Sequence, residues 1–235
     1  MTESTRRPSL PEGVYGITAH TFSQGRSNAD VVRAMIDGGI KIIQYREKRP
    51  DKSHSQMLAE CREIRDLTRA AGVLFIVNDY VDIAMLTDAD GVHVGQDDLP
   101  VADVRHLIGP DKLIGLSTHS LAQARAAQSA GPDYIGVGPI FSTQTKADAS
   151  APVGLNLLQQ AIRLSSLPIV AIGGIKQHNA ADVVGHGART ICLVTEIVGA
   201  QDIAGTVRNL NKIVEVERKK FFKTKGEIRC PSKPR

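Results

Sequence analysis

Tryptophan is absent from this 235-residue chain, and aromatic residues make up only 4% of it. An interior with so few rings must be aliphatic, which argues against an aromatic-rich β-sandwich and favours buried parallel strands. Cysteine is scarce too: Cys61, Cys192 and Cys230 are odd in number and widely spaced. Without a CxxC pair or any metal-ligand spacing, they read as free thiols in a reducing compartment. The seven histidines show no ligand spacing either, so zinc is not implied. No apolar stretch is long enough to cross a bilayer, and residues 1–11 lack the apolar core of a secretory leader. These absences together predict a cytoplasmic protein.

What is present is a 42% hydrophobic chain with a net charge of +4. The basicity is local. Residues 218–235 hold eight Lys and Arg against the single acid Glu227, a balance of +7, which leaves residues 1–217 at −3. A basic tail can serve nucleic acid or an anionic membrane. This one has no aromatic interleaving beyond Phe221-Phe222 and no binding motif, so nucleic acid and membrane are not expected partners. It reads as a solvated, disordered extension, with a flexible segment over residues 1–12 at the other end.

Between them, residues 13–217 alternate short apolar runs with amphipathic segments. The runs fall at 14–18, 40–44, 73–77, 91–94, 112–117, 134–137, 168–172 and 190–194. The segments carry apolar residues at helical spacing, as in Val31, Val32, Met35 and Ile36. Ser53 with Gln56 and Ser120 with Gln123 form capping-box patterns, while Gly38, Gly39, Gly72, Gly131 and Gly187 mark stops. Eight strand–helix units in a chain of this length predict an α/β fold, a single (β/α)8 TIM barrel. A doubly wound open sheet is the alternative. A last helix is expected near residues 203–217.

Chemistry in such barrels sits at the C-terminal ends of the strands. After the second strand comes Gln44-Tyr45-Arg46-Glu47-Lys48; extended backbone puts Gln44, Arg46 and Lys48 on one face and Tyr45 and Glu47 on the other. An Arg fork and a mobile Lys suit a diphosphate. Asn78-Asp79 closes the third strand and Asp97-Asp98 follows the fourth. Asp79 with one of Asp97 and Asp98 makes a candidate Mg2+ site, since that ion takes a few protein oxygens and completes its shell with phosphate and water. Helix capping is the plainer role for the same acids. His93, inside a strand, reads as a packed residue. The loop Thr143-Gln144-Thr145-Lys146 brings hydroxyls and an ammonium that can close over an anion, and the stretch to Pro152 suits a lid. Ile172-Gly173-Gly174-Ile175 and Val194-Thr195 end the last two strands, where barrels commonly bind phosphate through backbone amides. One mouth thus holds two anion sites, which suggests two phosphorylated substrates joined in one reaction.

These motifs, together with the stretch 91–98, Gly115-Leu116-Ser117 and Gly138-Pro139-Ile140-Phe141, resemble the thiamine phosphate synthase family over nearly all of residues 14–195. The resemblance implies condensation of a hydroxymethylpyrimidine diphosphate with a thiazole phosphate to thiamine phosphate and pyrophosphate. It implies Mg2+ as cofactor, held by Asp79 and Asp98. By position it implies a pyrimidine diphosphate site of Gln44, Tyr45, Arg46, Glu47, Lys48, Asn78, Ser117 and Lys146. The thiazole phosphate site would comprise Thr143, Gln144, Thr145, Gly174, Val194 and Thr195. Arg46, Lys48, Ser117 and Lys146 are the implied catalytic residues, in a dissociative mechanism where pyrophosphate leaves first. Departures from the family pattern are Ser142 for the usual Pro, Thr195 for Ser, Ala19-His20 after Thr18, and the basic tail. The rival reading is a thiazole tautomerase-like barrel without diphosphate chemistry, against which Asp79, Asp98 and Lys146 argue. The small-molecule substrates are the expected partners, and homo-oligomerisation is left open.

Overall fold

Short strands rich in Val and Ile are what a sheet needs when both of its faces are covered. The computed structural model, which describes residues 7–48, 52–145 and 151–227, has eight of them. They are β1 (Gly13–Ile17), β2 (Ile42–Tyr45), β3 (Leu74–Asn78), β4 (Gly91–Val94), β5 (Leu113–Thr118), β6 (Tyr134–Val137), β7 (Ile169–Ile172) and β8 (Thr190–Leu193). They close in sequence order into a parallel barrel, with β1 pairing to β8 through Val14↔Ile191 and Tyr15↔Cys192. The fold is therefore the expected (β/α)8 barrel, and every strand's C-terminal end opens on one rim.

Around the barrel run α1 (Asn28–Asp37), α2 (His54–Ala71), α3 (Val81–Leu86), α4 (Val101–Ile108), α5 (Leu121–Ala130), α6 (Gly154–Leu164), α7 (Ala180–Gly185), α8 (Thr195–Val198) and α9 (Ile203–Glu227). Helical spacing decides which residues they bury: Val31, Val32 and Met35 of α1 are sealed against the strands. Each such aliphatic side chain contributes about 1.5–3 kcal/mol on burial. Ser53 and Gln56 form the full capping box of α2. At α5 only half of that pattern appears: Ser120 accepts from the Gln123 amide, but the Gln123 side chain reaches the His119 amide instead. Inside the barrel a second, smaller core forms from Tyr15, Ile17, Ile42, Ile76, Leu113, Tyr134, Val170 and Cys192.

Parts of both chain extensions are among the described residues. Residues 7–12 of the segment expected to be flexible are tied across the barrel's closed rim. Leu10 packs on the inner core, Pro11 O accepts from Thr190 Oγ1 at 3.1 Å, and Glu12 pairs with Arg189 at 2.9 Å and with Arg218. Helix α9 continues past Glu217 to Glu227, so residues 218–227 are helical where a disordered tail was expected. Of the charges that suggested disorder, Lys219 and Lys220 lie on its solvated face, where Glu215 with Lys219 and Glu217 with Lys220 pair at 2.6 Å each. Phe221 meanwhile packs at Gly187. Residues 228–235, including Cys230, lie outside the described residues. No described helix is long and apolar enough to cross a membrane.

Candidate active site

Strand β2 sends successive side chains to opposite faces. Gln44 Nε2 donates inward to the Tyr15 hydroxyl at 2.8 Å, whereas the Tyr45 hydroxyl donates outward to Glu60 Oε2 at 2.8 Å. Glu47 is also buried; its carboxylate accepts from the Lys48 amide at 3.0 Å and pairs with Lys52 at 3.4 Å. Within the 44–48 run the Gln44 side chain thus faces inward while those of Tyr45 and Glu47 face away from the barrel interior. The period of two turns the Tyr45 and Glu47 side chains toward the helix layer, where they anchor the arm. Glu60 is the hub of that anchor, accepting from Asn28 at 3.0 Å and pairing with Lys52. Burial would raise the Glu60 pKa, but hydrogen bonds from Lys52, Asn28 and Tyr45 outweigh it and hold the carboxyl below its ordinary value. The Arg46 amide donates to Thr18 Oγ1 at 3.0 Å, and Lys48 Nζ reaches Asp79 Oδ2 at 2.6 Å.

Asp79 leaves β3 in the left-handed region at φ 62°, rare for a residue with a side chain. Its amide donates to His93 O at 2.9 Å, which fixes the turn. Asp98 is fixed as well, its Oδ2 accepting from the Gly95 amide at 2.6 Å. Burial raises the Asp79 pKa; Lys48 opposes that, and the facing Asp98 carboxylate raises it further by repulsion and by hydrogen bonding to the protonated form. Neither acid is a helix cap: the N-cap positions of α3 and α4 are Tyr80 and Pro100, neither of which makes a side-chain cap bond. Asp97 is exposed. The structure thus pairs Asp98, not Asp97, with Asp79. Among the described residues no group of three or more His, Cys, Asp and Glu is arranged to hold a metal.

A polar ladder crosses the barrel interior beneath this pair. From Gln44 it runs through Tyr15 to the Tyr134 hydroxyl (3.1 Å), on to His93 Nδ1 (3.1 Å), and from His93 Nε2 to Ser117 Oγ (2.9 Å). Both phenols are sealed, and burial is the largest cause raising their pKa values, so they remain protonated donors. Gly115 makes the ladder possible, since a Cβ there would lie 2.3 Å from His93 Nδ1 and 2.4 Å from the Tyr134 hydroxyl. His93 is accordingly a packed residue with both ring nitrogens occupied, and through it the core holds Ser117.

Across the mouth, the chain leaving β6 runs beside that leaving β7. Ile140 N donates to Ile172 O at 2.9 Å and Phe141 N to Gly173 O at 3.0 Å. Gly174 turns at φ 65°, where any Cβ would meet Ser142 O at 2.5 Å. That close approach sets Thr143, whose hydroxyl accepts from the Thr145 amide at 3.3 Å, near Gly174. Thr195 opens α8 directly after Val194, and its Oγ1 accepts from Lys176 Nζ at 3.0 Å. Lys146 and the rest of residues 146–150, which carry most of the expected lid, lie outside the described residues.

A profile of thiamine monophosphate synthases matches residues 14–197. The chain belongs to that family. The thiamine-phosphate synthase of Pelotomaculum thermopropionicum is 60% identical over 205 residues, 87% of this chain and 93% of that one. The thiamine-phosphate synthase of Chloroflexus aurantiacus is 52% identical over 207 residues, 88% and 94% of the two chains. Thiamine phosphate pyrophosphorylase from Pyrococcus furiosus superposes with a TM-score of 0.80 at 34% identity, covering 87% of this chain and 96% of that one. As a member of the thiamine monophosphate synthase family the protein is an enzyme, a transferase of thiamine biosynthesis. The family match ends within α8, so the extended α9 belongs to the part of the chain outside it.

Of the residues expected at the site, Lys48, Asp79 and Asp98 meet directly, and Ser117 is bound into the ladder below them. Sequence reasoning missed Tyr15 and Tyr134, which read as ordinary strand residues, and Lys176 with Glu196, which follow motifs rather than sit in them. Residues Gln24 and Arg26, unremarked in the sequence, tie the β1 loop to the β8 side by donating to Gly199, Val198 and Ala200 carbonyls.

Proposed function

We propose that the enzyme joins a hydroxymethylpyrimidine diphosphate to a thiazole phosphate, releasing pyrophosphate. The observation that carries this is the Asp79–Asp98 pair facing Lys48 on the same rim as the Thr143, Gly174 and Thr195 loops. The donor set fits Mg2+: the Asp79 and Asp98 carboxylates face one another beside Lys48, and a divalent cation would relieve the repulsion that adds to burial in raising the Asp79 pKa. Asp79 and Asp98 would hold the ion, and substrate diphosphate and water would complete its shell. Bound there, Mg2+ supplies Lewis-acid stabilisation of the departing diphosphate.

The chain's own residues do the rest. The bond between the pyrimidine methylene and the diphosphate oxygen breaks, and its electron pair leaves with pyrophosphate. Arg46 and Lys48 lie on the β2 arm to receive that charge, with Lys146 as a further implied donor. The methylene cation left behind forms its new bond with the ring nitrogen of the thiazole, held by its phosphate at the β6–β8 loops. Neither step calls for a strong base or a covalent nucleophile. Ser117, hydrogen-bonded to His93, would hold the pyrimidine.

A coupled assay tests this directly. Purified protein is given both substrates with Mg2+ or with EDTA, and pyrophosphate and thiamine phosphate are quantified together. Equal, Mg2+-dependent release of both products is expected. Folded protein that makes neither with Mg2+ present would sink the proposal and direct the next assay to thiazole tautomerisation.

A further inference from the structure

Lys176 lies outside every motif named so far, on the loop between β7 and α7. Its backbone is clamped, the Lys176 amide donating to Asn179 Oδ1 at 2.7 Å while Asn179 Nδ2 donates to Gly174 O at 3.1 Å. The ammonium is thereby fixed at the β7–β8 rim, 3.0 Å from Thr195 Oγ1 and 3.3 Å from Glu196 Oε2. We propose that Lys176 is a phosphate-binding residue for the thiazole substrate, with Glu196 as its counter-ion in the ligand-free enzyme. The inference rests on the proposed function and adds a side-chain cation to a phosphate site otherwise expected to use backbone amides.

Three features support it. Because Thr195 Oγ1 accepts from Lys176, the hydroxyl hydrogen is left to be donated elsewhere, and a phosphate oxygen at the mouth is the acceptor that position suits. Glu196 does not depend on Lys176 for its place: its Oε1 accepts from the Gln177 amide at 3.1 Å and from Gln177 Nε2 at 3.4 Å. The carboxylate can stay anchored when the ammonium turns to a ligand. Finally, an ion pair whose partners are 34% and 20% exposed contributes little to stability on its own. A flexible point charge that exchanges a carboxylate for a more highly charged phosphate has a clearer use.

The test compares the wild type with Lys176→Met and Glu196→Gln, using the thiazole phosphate and its dephosphorylated alcohol as acceptors. Lys176→Met should raise KM for the phosphate about 10- to 100-fold, the worth of one charge-assisted hydrogen bond. KM for the alcohol should stay within about twofold of wild type, the spread expected of a neutral substitution. Glu196→Gln, which frees the ammonium, should lower KM for the phosphate. Equal effects on both acceptors, or none, would overturn the inference in favour of a loop-tying ion pair. If the wild type proves not to be a synthase, inorganic phosphate decides the matter separately. Phosphate should raise the melting temperature of wild type and not of Lys176→Met, and equal responses would refute the role of Lys176.

Discussion

Tyr134 shows how much one hydroxyl carries here. It stands between Tyr15 and His93, so Tyr134→Phe removes one hydrogen bond from a buried phenol and one from an imidazole. Such a loss costs about 1–3 kcal/mol, to be read from denaturant unfolding. Turnover should fall as well, because His93 then no longer holds Ser117 in one orientation; a variant as active as wild type would show that the ladder is only structural. Asp98→Asn should raise the Mg2+ concentration for half-maximal activity at least about tenfold, with Asp97→Asn as the unaffected control. That pair also marks what the sequence could tell. Spacing placed an acid here but left Asp97 and Asp98 equivalent, because the choice depends on a turn in which Gly95 donates to Asp98. The ladder was hidden for a different reason: Tyr15 and Tyr134 sit at apolar positions in apolar strands, and only barrel closure brings their hydroxyls together.

At the scale of elements, strands and helices were legible because their periods differ, and all eight runs found by pattern are strands. The ties between them were not. Asp90, just before β4, accepts the Phe75 amide of β3 and a bidentate pair of bonds from Arg65 of α2 at 2.8 and 3.1 Å. Asp133, just before β6, repeats the device two strands on, accepting from Ile114 N at 2.7 Å and Arg105 at 2.6 Å. Each carboxylate staples a helix to the strand that follows that helix. Asp90→Asn should cost about 1.5–3 kcal/mol in a urea melt, since an amide cannot receive the same pair of charged bonds. Glu60 gives this layer a pH response. Its folded pKa is depressed, so its contribution is complete above the unfolded value and is lost as pH falls through the folded one. Glu60→Gln should therefore flatten the acid limb of a stability–pH curve; an unchanged limb would place the acid sensitivity elsewhere.

For the molecule as a whole, α9 and residues 7–12 seal the rim opposite the site. Removing the chain after Glu217 deletes the Arg218–Glu12 pair and the packing of Phe221 at Gly187. The melting temperature should drop by about 4–8 °C for the roughly 2 kcal/mol involved, with activity retained because the mouth is untouched. Composition alone could not show this, because a helix that packs through Phe221 and carries Lys219 and Lys220 outward has the residue content of a disordered tail.

Closing the barrel between β1 and β8 also sets a timetable. The first strand to be made has a neighbour on one side only until the last one arrives, and Glu12 must find Arg218 across 206 positions of chain. Such distant pairings fold slowly. On a ribosome adding about 5–20 residues per second, β1 waits roughly ten to forty seconds with an open edge. During that interval the nascent barrel is most exposed to mispairing, and it is there that slower translation or the absence of chaperones would cut the yield of this enzyme most.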